Sequence, residues 1–138
     1  MWISKKMSEA SHRGEPYAGL GQITIGGEET GVMTESEQRN IPVISPGGFV
    51  WRPKTGQDVL IIQTDDGGKF ITGALYQGDG EALQDGEAAI YSEGASIIMR
   101  NNGLISISGN LNLEGKLSVS GDVSISGNLT VKGVPYSP

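Results

Sequence analysis

The chain contains no cysteine among its 138 residues, which excludes disulfides, zinc–thiolate sites and thiol nucleophiles. It contains one histidine, His12, in a polar stretch with no regular serine–aspartate arrangement around it, so a surface histidine is expected there. Aromatics are scarce at 6 % and hydrophobics reach only 36 %, against 22 glycines. Such a chain has little with which to build a large core of its own, and oligomerisation is expected. Basic clusters are also missing. Sixteen acids against ten bases give a net charge of -6, which argues against nucleic acid as a partner and against attraction to anionic membranes. The longest aliphatic run, Val59-Leu60-Ile61-Ile62, is far too short to span a bilayer. The opening MWISKKMSEASHR has no apolar stretch after its lysines, so no secretory signal is expected, and the protein is expected to be soluble and made in the cytoplasm.

What the chain does have is a repeat. Residues 103–138 read as six consecutive hexads headed by Gly103, Gly109, Gly115, Gly121, Gly127 and Gly133. The first five carry Ile, Leu or Val at both the third and the fifth position. In a strand these two positions share a face. That face therefore collects Ile105, Ile107, Leu111, Leu113, Leu117, Val119, Val123, Ile125, Leu129 and Val131. The opposite face is Ser, Asn and Thr, with Glu114, Lys116, Asp122 and Lys132 as its charges. This nearly neutral exterior is expected neither to stick to phosphate-rich surfaces nor to be repelled by them. Glycine at each corner allows backbone angles that other residues resist. A strict period of this kind predicts a stacked, quasi-one-dimensional architecture.

Ahead of the repeat the punctuation is that of a small antiparallel β domain. Residues 1–16 form a polar arm. Over 17–77, strands are expected at 19–25, 31–34, 39–45, 48–51, 59–64 and 69–76. The turn Asp65-Asp66-Gly67-Gly68 is a strong hairpin signal, because Asp and Gly tolerate positive φ. Short strands in this number suit a small Greek-key barrel of the OB type. Residues 78–102 then hold an acidic connector and two short strands, 88–92 and 95–100. The fold class expected is all-β: a small OB-like antiparallel barrel followed by a trimeric, intertwined β-helix or β-prism of glycine-headed hexads.

Catalytic and ligand signatures are absent. Asp79, Glu81, Asp85 and Glu87 crowd the connector, but their spacing does not match a calcium loop, and a glycine-rich link is a poor place to fix paired carboxylates across a glycoside. A solvated connector is expected instead. Gly26-Gly27 and Gly67-Gly68 lack the lysine and hydroxyl residue of a phosphate loop and read as turns. Trp51, Tyr17, Tyr76, Arg52 and Lys54 could form an oligonucleotide or sugar patch on an OB barrel; in an acidic protein, core and subunit packing is the expected use. No metal, no cofactor and no catalytic residue are expected.

The repeat needs partners. For a lone chain, burying ten aliphatic side chains does not offset the backbone entropy of ordering these thirty-six residues, and most strand edges would stay unpaired. Three chains wound about one axis give every edge a neighbour and bring the apolar rows together. With strands about 4.8 Å apart, three interleaved chains advance roughly 14 Å per turn. The rival is the single-chain left-handed helix of hexapeptide acyltransferases. Those repeats place one large aliphatic inward per hexad over many turns and need a catalytic histidine, and His12 lies far from the repeat.

The order of parts resembles a known family. A small barrel, the Gly78-Asp79-Gly80-Glu81 connector, the segment AIYSEGASIIMRNNGLISISG and a glycine-punctuated β-helix look like the baseplate spike, or baseplate-assembly protein V, of contractile-tailed bacteriophages. Within the barrel, PVISPGGFVWRP from Pro42, GQDVLII from Gly56 and TGALY from Thr72 are similar to the family's stretches. The resemblance covers about residues 17–134. It implies a homotrimer in the virion tail baseplate, without enzymatic activity, attached to tail hub and baseplate proteins and driven through the host envelope, touching it transiently. Larger members end in a His-x-His iron tip, and this chain has no histidine there. That departure implies a short spike without iron, or one completed by a separate tip protein. A receptor-binding fibre tip, with the barrel as a carbohydrate module, is the other reading.

Overall fold

The computed structural model describes residues 17–27, 30–34, 37–78 and 82–137. The arm expected over 1–16, including His12, and the connector acids Asp79 and Glu81 lie outside them. The described residues are all-β, with no helix and only antiparallel sheets. The chain divides into two compact units, Met1–Asp79 and Gly80–Pro138.

The first unit is one five-stranded sheet in the order β3-β2-β1-β4-β5. Its strands are β1 (Tyr17–Ile25), β2 (Gly31–Met33), β3 (Glu37–Gln38), β4 (Asp58–Gln63) and β5 (Lys69–Ala74). Alternation fixes the register. Ile23 lies opposite Val32, Gly21 opposite Val59, and Ile61 opposite Ile71. These residues share one face, and the five aliphatics among them are buried there with Ile41. Val43 and Trp51 are partly buried against that cluster. The β4–β5 hairpin closes where the Asp-Gly signal stands. Gly67 has φ +88, Thr64 N–H donates to Gly68 O at 2.8 Å, and the Asp66 carboxylate accepts from the Thr64 hydroxyl and the Gly68 N–H.

Two expected strands do not form. Over 39–45 there is a single parallel bridge, Val43 to Ile71, flanked by Ile71 N–H to Pro42 O and Ile44 N–H to Ile71 O. Pro42 has no N–H to donate and Pro46 ends the stretch, so a ladder cannot extend either way. Over 48–51, Gly48 at φ +88 turns the chain, with Phe49 N–H donating back to Pro46 O at 3.0 Å. The apolar pair Phe49 and Val50 is left exposed, Val50 at 93 %. The sheet is consequently open, with β3 and β5 as its edges, where a closed barrel was expected.

Gly21 is a packing requirement of this sheet. A Cβ built there would lie 2.6 Å from Val32 Cγ1 and 2.9 Å from Ile61 Cδ1, and both side chains are core members with little room to move. Gly21→Ala is expected to destabilise the first unit by about 1–3 kcal/mol through overpacking. Urea unfolding of the variant against the parent checks this.

The second unit opens with a three-stranded antiparallel sheet, order β6-β7-β8, made of β6 (Ala88–Tyr91), β7 (Ser96–Met99) and β8 (Ile105–Ser108). Gly103, the first expected corner, sits in the β7–β8 turn at φ +87, where Arg100 N–H donates to Leu104 O at 2.9 Å. Only the first hexad becomes a full strand. The others run on without an in-chain ladder until a short hairpin, β9 (Thr130–Val131) and β10 (Val134–Pro135).

Candidate functional site: an uncovered apolar face

The ten aliphatic residues assigned to the repeat are all exposed in the single chain. Leu111 and Leu117 are 73 % and 74 % open, and every described residue from Asn101 onward is classed as exposed. Ile105 and Ile107 lie on β8, Val131 lies on β9, and Leu129 precedes it. Leu111, Leu113, Leu117, Val119, Val123 and Ile125 fall in the stretch between β8 and β9, which pairs with no strand of its own chain. Among the described residues, no backbone N–H or C=O from 109 to 128 takes part in a backbone hydrogen bond. Buried or ordered backbone groups are almost always paired, so this stretch lacks both halves of what a strand requires: cover for its side chains and partners for its main chain.

The face reaches further back than the hexads. On β7, Ile97 is opposite Ile107 and Met99 opposite Ile105. On β6, Ile90 is opposite Ile97 and Ala88 opposite Met99. Directly paired residues share a face, so Ile90-Ile97-Ile107 and Ala88-Met99-Ile105 are two cross-strand rows continuous with the repeat. Ile90, Ile97 and Met99 are exposed. The alternation of residues 95–100 puts Ile97 and Met99 on one face of their strand; only the register joins that face to Ile90 and to the first hexad.

The reverse face of this sheet is tied down. Ile98 is buried there. Next to it the Glu87 carboxylate, its side chain only 5 % exposed, accepts Gln84 N–H at 2.8 Å, Asn101 N–H at 3.0 Å and Arg100 Nη1 at 3.1 Å. Arg100 Nη1 also reaches Ala82 O at 2.8 Å, and Asn101 Nδ2 donates to Asp85 O at 2.8 Å. Glu87 is therefore no part of a solvated acidic connector, as its sequence context implied. It clamps residues 82–87 against the β7–β8 turn.

The six expected corners divide. Gly103, Gly109, Gly115 and Gly133 have positive φ, a conformation L side chains rarely adopt. At Gly109 an added Cβ would also come within 3.1 Å of Ala95 Cβ. Gly121 and Gly127 have no such φ, and a Cβ on either would meet nothing within 4 Å. Among the described residues, nothing requires glycine at those two positions.

The aromatic and basic residues named for a patch on the first unit are placed as follows. Trp51 packs on the core. Tyr17 lines an open groove of about 770 Å³ over Gly19 and Gly21, with Gln38 and Lys69 beside it; Tyr76, Arg52 and Lys54 do not line that groove. Lys69 Nζ donates to Gln38 Oε1 at 3.3 Å. Among the described residues no group of three His, Asp or Glu is placed to hold a metal ion. Compared with known families and with curated proteins, the chain matches no family model and no curated relative.

Glu87 gives the second unit a definite pH response. The N–H groups of Gln84 and Asn101, with Arg100 after them, hold its pKa below the ordinary 4.5. A carboxylate depressed on folding contributes stability that is fully present above the unfolded value and is lost as pH falls through the folded one. Glu87→Gln is expected to unfold at lower urea than the parent at neutral pH, with the gap closing well below pH 4.5. A gap that persists in acid would remove the charge from the account.

Proposed function

We propose that this chain is one third of a homotrimeric structural spike of a phage tail baseplate or a related contractile injection system. In this reading its first unit attaches to tail hub proteins, and its repeat forms a rigid needle that pierces the host envelope. The observation that carries the reading is the series of aliphatic side chains from Ile90 through Val131 that are uncovered, together with a main chain from 109 to 128 that pairs with none of the described residues. Winding three copies about one axis supplies both at once. Each unpaired edge gains a neighbouring strand, and the aliphatic rows meet on a dry axis.

The glycines support the same arrangement. Gly121 and Gly127 have no reason inside the chain, and glycine in a strand is frequently a place where another backbone comes close. The finer fold of the second unit belongs to this proposal as well: a three-chain β-helix. Leu20 and Leu60, cross-strand neighbours that are both exposed on the outer face of the first sheet, are the apolar pair this reading assigns to the hub. The work done is mechanical, and no residue is assigned a chemical step.

Light scattering of the purified protein is expected to give the mass of three chains. Leu117→Asp or Val123→Asp is expected to abolish the trimer, since three carboxylates would face one another on the axis without partners. A stable trimer of either variant would show that these residues do not face inward. The glycine pair gives an independent check. In a single chain Gly121→Ala and Gly127→Ala meet open space and should be harmless; in the assembly each is expected to cost about 1–3 kcal/mol by overpacking. Thermal melts followed together with mass separate the two.

A further inference from the structure

Asparagine followed by glycine is a chemically reactive pair, and the chain carries it once. Asn40 precedes isoleucine, Asn101 precedes Asn102, and Asn110, Asn112 and Asn128 precede leucine; Asn102 alone precedes a glycine, Gly103. The backbone nitrogen of the residue after an asparagine can attack the side-chain amide carbon and close a five-membered ring. A side chain on that next residue crowds the approach, and glycine has none. Residue order therefore selects Asn102 for ring closure, and the fold decides whether the pair is presented for it.

The pair lies in the β7–β8 turn, where Asn101, Asn102 and Gly103 are all exposed. Gly103 has φ +87, and a Cβ on it would meet nothing within 4 Å, so solvent base reaches the peptide. Leu104 N–H donates to Asn102 Oδ1 at 3.1 Å, which folds the side-chain amide back along the chain over the Gly103 peptide. The same N–H is aimed at the oxygen on which negative charge gathers as the ring closes, the arrangement that stabilises an oxyanion. One contact opposes the step. Gly103 N–H donates to Arg100 O at 3.1 Å, and that bond is given up when the nitrogen loses its proton. A hydrogen bond to an ionised oxygen is roughly twice as strong as a neutral one, so the gain at Leu104 N–H exceeds the loss at Arg100 O.

We propose that Asn102 is a site of spontaneous covalent modification in the folded protein, an amide that the β7–β8 turn presents for conversion to a carboxylate. Gly103 N gives its proton to solvent base and bonds to Asn102 Cγ. The Cγ–Nδ2 bond breaks, and the nitrogen leaves as ammonia after taking a proton back from solvent. Water then opens the ring at either carbonyl. Opening at Cγ gives aspartate; opening at the main-chain carbonyl gives isoaspartate, whose backbone runs through Cγ. Water is the only co-reactant, and nothing is oxidised or reduced. Asp66, Asp79 and Asp85 also precede glycine, but an ionised carboxylate offers no such leaving group.

The site does not rest on the spike reading, and its consequences fall on what the turn holds. Asn101 ties the turn to Glu87 and to Asp85 O, and β7 and β8 keep Ile97 opposite Ile107 across it. Aspartate at 102 retains an oxygen for Leu104 N–H. Isoaspartate adds a carbon to the main chain of a turn whose length sets that register, and so loosens the sheet.

The test holds the folded full chain in mildly alkaline buffer at physiological temperature and follows its intact mass and the masses of its proteolytic peptides. A product one mass unit heavier is expected, located at Asn102 and formed about tenfold faster than at any other asparagine, which corresponds to about 1.4 kcal/mol in barrier. Asn102→Gln, which keeps an amide but would need a six-membered ring, is expected to show no gain over the same period. Asn102→Asp is expected to melt with the parent, and separated isoaspartate-bearing protein to melt earlier. A folded chain that stays unmodified while the same chain in urea reacts at Asn102 overturns presentation by the turn. Equal rates at several asparagines overturn the selectivity. Isoaspartate-bearing protein that melts with the parent overturns the loosening of the sheet.

Discussion

A strand with aliphatic side chains on one face and no ladder within its own chain has to find both cover and hydrogen bonds elsewhere. That constraint governs the second unit. The β6–β7–β8 sheet satisfies its main chain internally and leaves its apolar rows open; the hexads that follow leave both open. The two needs are met by different forces, one directional and one proportional to area. They can be answered together only by another strand of matching period. On the proposed trimer reading, that strand is another copy of the same repeat.

The first unit obeys the opposite logic. Its strands pair with one another between the open edges β3 and β5, and Ile41, Val43 and Trp51 pack on its aliphatic face. The cost of that closeness appears at Gly21, where the facing side chains leave no room even for a methyl group. One unit is therefore specified by contacts it already has, the other by contacts it lacks.

Much of this was legible in residue order, and the failures have physical causes. The alternation in 19–25 and 59–64 and the Asp-Gly turn at 65–68 are local signals, and they correspond to β1, β4 and the hairpin that follows. The stretch 39–45 alternates as well, but Pro42 removes a donor that a ladder would need, and pattern alone does not weigh a single missing N–H. Glu87 reads as one acid among several in a polar link. Only the fold brings Gln84, Arg100 and Asn101 around it. Ile90 and Ile97 likewise become partners of Ile107 only through register, which depends on turns rather than on composition. Lys132 has φ +51, a dihedral property invisible in a repeat that counts it simply as a sixth position.

The contrast between the two units has a consequence for biosynthesis. A sheet whose strands pair within one chain reaches its final form at any dilution, whereas a repeat that borrows its neighbours' edges orders only as fast as protomers meet. On the trimer reading, stability of the column is inseparable from protomer concentration. Scarce early copies would carry a finished sheet joined to an extended, protease-sensitive ribbon, and accumulation of product would itself be the trigger that converts ribbon to shaft. Needle formation would then be timed by expression level, with no dedicated switch.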